Sequence, residues 1–288
     1  MSCTHNAAML PADNGKLKLS CLPVSFFASL ADGTMKLDEW FNMAASMGLR
    51  YVDVSSIHIS VHTPVNLYNI KNALEKAGVE LCMVCTYPDF SHPDAVQRER
   101  ELAYLQNDIA AASQLGAKFV RILAGQRHEN TSVKDGINWV VEGFLKAEPL
   151  AEKLGLTLVF ENHSKPGAWH LPDFSQPTDI FLEIARKLRN TGIGINFDTI
   201  NTELDEHDSL QILNEVIDMV RTVHVADSST IEKLSPCVIG TGKAPIREIM
   251  SALKAAGFKG YYCIEEASGT GRDGINAAVN FVQSLMIL

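Results

Sequence analysis

The sequence predicts a single α/β domain, a (β/α)₈ TIM barrel in which eight parallel strands alternate with helices. Two observations carry this reading. A phrase made of a helical stretch, a glycine and a short apolar run recurs along the chain. The alternation fills the 288 residues without a linker rich in Pro, Gly or Ser. The recurring glycines are Gly48, Gly78, Gly116, Gly155, Gly192 and Gly257. Each stands just past a helical pattern, where a left-handed residue closes the last turn. The runs after them are short and apolar, as parallel strands covered on both faces require.

Strands are read at about 18–26, 50–55, 79–86, 118–123, 156–161, 193–198, 220–226 and 261–265. The first and the seventh lack the glycine lead. Helices are read at 38–46, 66–76, 93–114, 133–153 and 177–188, where apolar residues recur at three- and four-residue spacing. Pro93 and Pro177 suit first turns. A last helix is read at 274–288. Residues 1–16 form an N-terminal extension, and 17–288 form one barrel domain. A doubly wound open sheet would need a G-x-G-x-x-G crevice motif after the first strand, and none stands there.

The formal net charge of −9 argues against holding a nucleic-acid backbone, whose phosphates need a basic surface. No run of 18 apolar residues suggests a membrane span. The start, Met1-Ser2-Cys3-Thr4, lacks the basic and apolar regions of a secretory leader, so a cytoplasmic protein is expected. Cysteines stand at 3, 21, 82, 85, 237 and 263, without the clustering of a disulfide framework. Cys82-Met83-Val84-Cys85 spells C-x-x-C inside an apolar run. Residues three apart on a regular strand face opposite ways, so these are read as core thiols rather than a metal or redox pair.

In this fold the active site lies at the C-terminal ends of the strands. Strand 4 ends near Arg121, strand 5 in Glu161-Asn162-His163 and strand 6 in Asp198. Strand 7 ends in His224 through Asp227, and strand 8 in Glu265-Glu266. Strand interiors are otherwise nearly free of charge. Carboxylates directly after Leu158-Val159-Phe160 or Cys263-Ile264 are costly unless paired or bound to metal. Two Glu, one Asp and one His from four successive strands would converge on the barrel axis. Oxygen ligands with a single imidazole favour Mn²⁺, Mg²⁺ or Co²⁺ over a thiolate-type Zn²⁺ site.

These residues, with Asn196-Phe197-Asp198-Thr199, Val223-His224-Val225-Ala226-Asp227 and Gly240-Thr241-Gly242, resemble the sugar phosphate isomerase/epimerase family, the xylose isomerase-like TIM barrels. The resemblance covers nearly the whole chain. It implies Glu161, Asp198, His224 and Glu265 as ligands of a divalent metal ion, Mn²⁺ first among the options. It also implies Glu161 and Glu265 as the groups that move protons. The chain departs from the ketose 3-epimerase pattern at Thr230, where that group carries Arg, and at Gly167, where it carries Glu. Asn201 stands three residues after the ligand Asp, a place where many members have His or Asn.

Substrate contacts are expected from His58, Arg121, His163, Lys165, Trp169, Asn201 and Asp227. Trp169 lies in a distinctive loop, 165–170, whose aromatic ring would suit the apolar face of a sugar. His62, His92 and Lys243 are weaker candidates. The leading expectation is a metal-dependent isomerase or epimerase acting on a keto sugar or related polyol by enolate-type proton transfer. The alternative is a lyase of the inosose or dehydroshikimate dehydratase type. An endonuclease IV-like phosphodiesterase and a non-catalytic sugar-binding barrel rank below these. The expected partner is a small sugar or polyol, with no nucleic acid and no membrane; a homo-oligomer is left open.

Overall fold

In a computed structural model of the chain, residues 17–59, 61–164 and 166–286 are described. The extension 1–16 and Lys165 lie outside the described residues. The strands are β1 (Leu19–Leu22), β2 (Tyr51–Ser55), β3 (Glu80–Cys85), β4 (Phe119–Ile122), β5 (Thr157–Glu161), β6 (Gly194–Asp198), β7 (Val220–Val225) and β8 (Tyr261–Glu265). All paired neighbours are parallel, and the ladder runs β1-β8-β7-β6-β5-β4-β3-β2. β1 and β2 lie against one another and close the ring as a seam. At that seam the Ser20 hydroxyl donates to Asp53 Oδ2 at 2.6 Å.

The helices are α1 (Phe27–Asp32), α2 (Leu37–Ser46), α3 (Pro64–Ala77), α4 (Ala95–Leu115), α5 (Val133–Lys153), α6 (Thr178–Leu188), α7 (Ser209–Val216), α8 (Ile246–Ala255) and α9 (Arg272–Met286). Their apolar stripes pack on the outward faces of the strands, where Trp40, Phe41, Phe144, Phe160 and Phe181 are fully buried. A separate cluster fills the barrel interior. At its lower end the rings of Tyr51, Phe119 and Tyr261 meet edge to face, with centroids 5.0 and 5.6 Å apart about Tyr261. Above them the interior turns polar, and this gradient gathers the buried charged side chains at the strand C-termini.

Four local differences from the sequence reading have physical causes. β1 ends at Leu22, not near residue 26, because Pro23 has no N–H to continue the ladder. The chain then turns through a 3₁₀ segment, Val24–Phe26, into α1. Five of the six lead glycines have φ between +71° and +82°, while Gly192 does not. There the Thr191 hydroxyl donates to the Leu188 carbonyl at 2.7 Å and closes α6 instead. Pro93 and Pro177 fall just before the first helical turns, with Asp94 as the cap of α4.

The fourth difference is in β3. Val52 pairs with Leu81 and Asp53 with Met83, so Cys82 is an extra residue in the ladder. Such a bulge resets the in-out alternation. Leu81 and Val84 face the helices, while Cys82, Met83 and Cys85 all belong to the interior cluster. Both cysteines are buried in the core, and contrary to the expected alternation they share one face. A second register shift, at Arg221 in β7, directs Thr222 and His224 inward and Val223 and Val225 outward.

Candidate metal centre

Glu161 ends β5, Asp198 ends β6, His224 stands in β7 and Glu265 ends β8. One ligating atom from each lies within 4.8 Å of all the others. Glu161 and His224 are completely buried and Asp198 nearly so. The Glu265 side chain retains 23% exposure and opens to the mouth. Glu266 points the other way. Its carboxylate takes the Ser25 and Ser268 hydroxyls and the Ser268 N–H, which is the work of a loop anchor. Alternation along β8 thus brings Glu265 to the cluster and takes Glu266 away from it.

The surrounding groups leave selected lone pairs free. Asp198 Oδ1 accepts the N–H groups of Ile200 and Asn201 at 2.8 and 2.9 Å. Asn162 clamps the Asp198 backbone through both its amide atoms. Glu161 Oε2 accepts Asn196 Nδ2 at 3.0 Å and lies 3.1 Å from Arg121 Nε. Asn196 is itself held by the Thr222 hydroxyl at 2.7 Å. Glu161 Oε1 and both ring nitrogens of His224 are buried without hydrogen-bond partners. His224 Nδ1 sits 2.9 Å from Glu265 and 3.3 Å from Glu161, near enough for attraction but without hydrogen-bond geometry.

The electrostatics describe a site short of positive charge. Burial pushes Asp198 up, and repulsion from Glu265 and Glu161 carries it well above the usual carboxylate range. Burial opposes a charged His224, yet Glu161 and Glu265 outweigh it and hold the imidazole protonated well above its ordinary value. Burial likewise opposes Glu161, and His224 and Arg121 keep it ionised. Three carboxylates facing one imidazole and one guanidinium therefore hold protons that a divalent cation would displace. Orphaned buried lone pairs and an acidic donor set both fit a metal ion.

A cavity of about 390 Å³ opens above the cluster. Arg121, His163, Asp198 and Glu265 line its deep side. Leu22, Val24 and Phe27 form one wall, and Leu234 and Pro236 face them from the loop after β7. Among the residues predicted to touch substrate, Arg121, His163, Asn201 and Asp227 line this space. Arg121 stacks 4.9 Å from the Tyr87 ring and donates to the Thr86 carbonyl at 3.1 Å. The two oxygens of Asp227 accept four backbone N–H groups, from Ser228, Gly240, Gly242 and Ala244. Its geometry holds the 240–244 loop rather than offering a free acceptor.

Trp169 and His58 are not brought to the cavity. Trp169 is buried and stands outside the lining. His58 packs edge-on against Phe27 and faces a separate space of about 580 Å³ beside α2 and α3. That larger space contains none of the four clustered ligands, so its size does not make it the site. His62, His92 and Lys243 lie outside the mouth lining as well.

Sequence reasoning missed the apolar wall, Tyr87 and Asp173. Asp173 Oδ2 lies 4.0 Å from His163 Nδ1, and neither atom has a hydrogen-bond partner. Burial pushes Asp173 up to about 8 and His163 down to about 4. Asp173 sits in an irregular loop, where no periodicity signals an inward direction. Tyr87 stands two residues past the end of β3, and its position at a strand end is the available signal.

The profile of the xylose isomerase-like TIM barrels matches residues 41–285. The chain belongs to that family. A protein of Streptomyces coelicolor, provisionally named a hydroxypyruvate isomerase, is 26% identical over 239 residues, covering 78% of this chain and 84% of its own. The D-psicose 3-epimerase of Clostridium cellulolyticum H10 superposes with a TM-score of 0.75 at 14% identity, covering 94% of this chain and 99% of its own. An L-ribulose 3-epimerase gives 0.77 at 16% identity, covering 94% and 95%. A protein described as a probable 3-DHS dehydratase from Bacillus anthracis gives 0.75 at 14% identity, covering 92% and 98%. These structural likenesses establish the shared fold. Among the described residues no helix is long and apolar enough to cross a membrane.

Proposed function

We propose that this xylose isomerase-like barrel is a divalent-metal-dependent isomerase or epimerase that moves a proton beside the carbonyl of a small keto sugar or related polyol. The observation that carries this is the gathering of two proton-competent carboxylates, Glu161 and Glu265, about one imidazole under a single cavity. A divalent ion held by Glu161, Asp198, His224 and Glu265, with Mn²⁺ the first choice, would supply a Lewis acid that polarises a carbonyl.

The chain's own residues supply the rest. Glu265, the more exposed carboxylate, takes the proton from the carbon next to the carbonyl. Glu161, once it holds a proton of its own on Oε1, the oxygen left without a partner, gives that proton from the buried side, while Glu265 releases the abstracted one at the open mouth. Arg121 fixes Glu161 Oε2 and offers its guanidinium to the enolate oxygen. The Leu22, Val24, Phe27 and Leu234 walls exclude water, so that the enolate is not quenched by solvent. Return of a proton to the opposite face of the same carbon gives an epimer, and return to the neighbouring carbon gives an isomer. The name carried by the Streptomyces coelicolor relative supports the isomerase form. The acidic centre and the net charge of −9 weigh against a nucleic-acid substrate.

The test is a keto-sugar, keto-acid and cyclitol panel turned over with added Mn²⁺ in deuterated water, with products read by NMR. Deuterium on the carbon beside the carbonyl, in product or recovered substrate, is the expected result. A product of unchanged composition marks an isomerase or epimerase, while loss of water marks the dehydratase reading through the same enolate. Turnover with no primary isotope effect on substrate deuterated at that carbon overturns proton abstraction.

A further inference from the structure

We infer that the barrel interior carries a second metal site, built by Asp53, Cys82 and Cys263 beneath the mouth cluster, that takes one thiolate-seeking divalent ion of the zinc class. Asp53 comes from β2, Cys82 from β3 and Cys263 from β8. One donor atom from each lies within 4.8 Å of the other two, and all three residues are completely buried. The site is separate from the mouth cluster, since no residue belongs to both.

Three features argue for a ligand here. Asp53 Oδ1 is buried with no hydrogen-bond partner, although Oδ2 is satisfied by Ser20 at 2.6 Å. A carboxylate oxygen without a hydrogen-bond partner in a barrel core is costly unless a cation or a proton meets it, because burial strips its water. Cys82 and Met83 both face the interior across the β3 bulge, so the strand presents two successive inward side chains there. The donor set matches the chemistry as well. Two sulfurs at about 2.3 Å from a tetrahedral ion stand about 3.8 Å apart, inside the observed limit. Thiolates select zinc-class ions over the Mn²⁺ or Mg²⁺ suited to the oxygen-rich mouth.

The placement suggests what such an ion does. β1 and β2 share no ladder, and the Asp53–Ser20 contact crosses that seam. An ion on Asp53, Cys82 and Cys263 ties β2 and β3 to β8, so it staples the ring where backbone pairing stops. Binding forms two metal–sulfur bonds and one metal–oxygen bond. The two thiol protons pass to solvent, and nothing is oxidised or reduced.

The experiment is expression in cobalt medium, followed by metal analysis and absorption spectroscopy of the intact chain. The expected result is two Co²⁺ per chain and a thiolate-to-cobalt charge-transfer band in the near ultraviolet. The band should survive Asp198→Ala, which disables the mouth, and disappear with one equivalent of metal in Cys263→Ser and Cys82→Ser. A wild-type chain with one equivalent and no band overturns the inference. So does a band that vanishes in Asp198→Ala and persists in Cys263→Ser, because the thiolate would then be Cys85 beside His224. Should the serine variants fail to fold, zinc-edge X-ray absorption of the wild-type chain decides. One sulfur neighbour per zinc, averaged over two sites, supports the inference, and a shell of nitrogen and oxygen alone overturns it.

Discussion

The two halves of the barrel mouth are built for different work. β5 to β8 end in Glu161, Asp198, His224 and Glu265, a polar arc whose lone pairs converge. β1 to β3 end in Leu22, Ser55 and Cys85, and the segments after them add Val24, Phe27 and Tyr87. Arg121 at the end of β4 stands at the boundary and joins the halves through Glu161. The same fold rule, strand ends facing the mouth, thus gives a reactive arc on one side and a shaping wall on the other. If this division is right, substitutions in the arc should act on turnover and metal, and substitutions in the wall on binding.

The largest effect is expected in the arc. Asp198→Ala or His224→Ala should remove the mouth metal and lower turnover on the order of a thousandfold, equivalent to about 4 kcal/mol of transition-state stabilisation. Metal analysis beside steady-state kinetics checks this. Full metal retention in both variants would break the ligand assignment. Glu266→Gln is the internal control. Its carboxylate serves Ser25 and Ser268, so it should lose stability more than turnover.

Arg121 comes next. Replacement by Met leaves the buried negative charge of Glu161 with Asn196 and the His224 imidazole alone, and breaking such a pair costs about 3 kcal/mol of stability. Lysine cannot restore it, because one ammonium cannot both meet Glu161 and lie flat on Tyr87. Denaturant melts of Arg121→Met and Arg121→Lys should show a large loss in the first and only partial recovery in the second. Equal stability of all three chains would place Arg121 outside the arc.

These expectations differ in how far the sequence announces them. The arc is legible because charged residues directly follow apolar runs, and in a parallel barrel those strand ends lie at the mouth, with Glu266 the one that alternation turns away. The repeat of glycine and strand makes the eightfold ring legible for the same reason. The wall is not legible, because Leu22, Val24 and Phe27 read like any core residues, and Pro23 alone marks where β1 turns away. That Cys82 and Cys85 share the inward face depends on one extra residue in β3, which no alternation pattern reveals. Trp169 misleads in the other direction. An aromatic in a mouth loop looks like a sugar platform, yet its ring is buried and does not line the cavity. Asp227 looks like a free acceptor until the four N–H groups around it are placed.

The wall should respond more gently. Phe27→Ala removes apolar contact from the cavity and from the His58 ring, on the scale of about 1.5 kcal/mol for a partly buried aromatic. KM should rise about tenfold with kcat nearly unchanged, since the contact is made equally in ground and transition states. A fall in kcat of the same size would mean that the wall helps to shape the transition state, and the division between halves would blur.

The effect furthest from turnover lies behind the arc, at Asp173, and is one of stability against pH. Burial raises its carboxyl from 3.8 to about 8, so between those values the folded chain keeps a proton that the unfolded chain releases. Unfolding then releases a proton, and stability must fall as pH rises through that window, by up to about 1.4 kcal/mol per pH unit. An asparagine at this position would carry no such proton. In Asp173→Asn the amide oxygen still accepts the Ser175 N–H and hydroxyl that Asp173 Oδ1 now holds at 2.7 and 2.8 Å. The variant should therefore match the parent near pH 4 and melt at progressively higher temperature than the parent as pH approaches 8. Activity should change little if Asp173 only backs His163, and the pH profile of Tm separates that role from a packing defect, which would lower Tm equally at every pH. A variant that melts lower than the parent across the whole range would show that the Asp173 proton is not the quantity that burial controls.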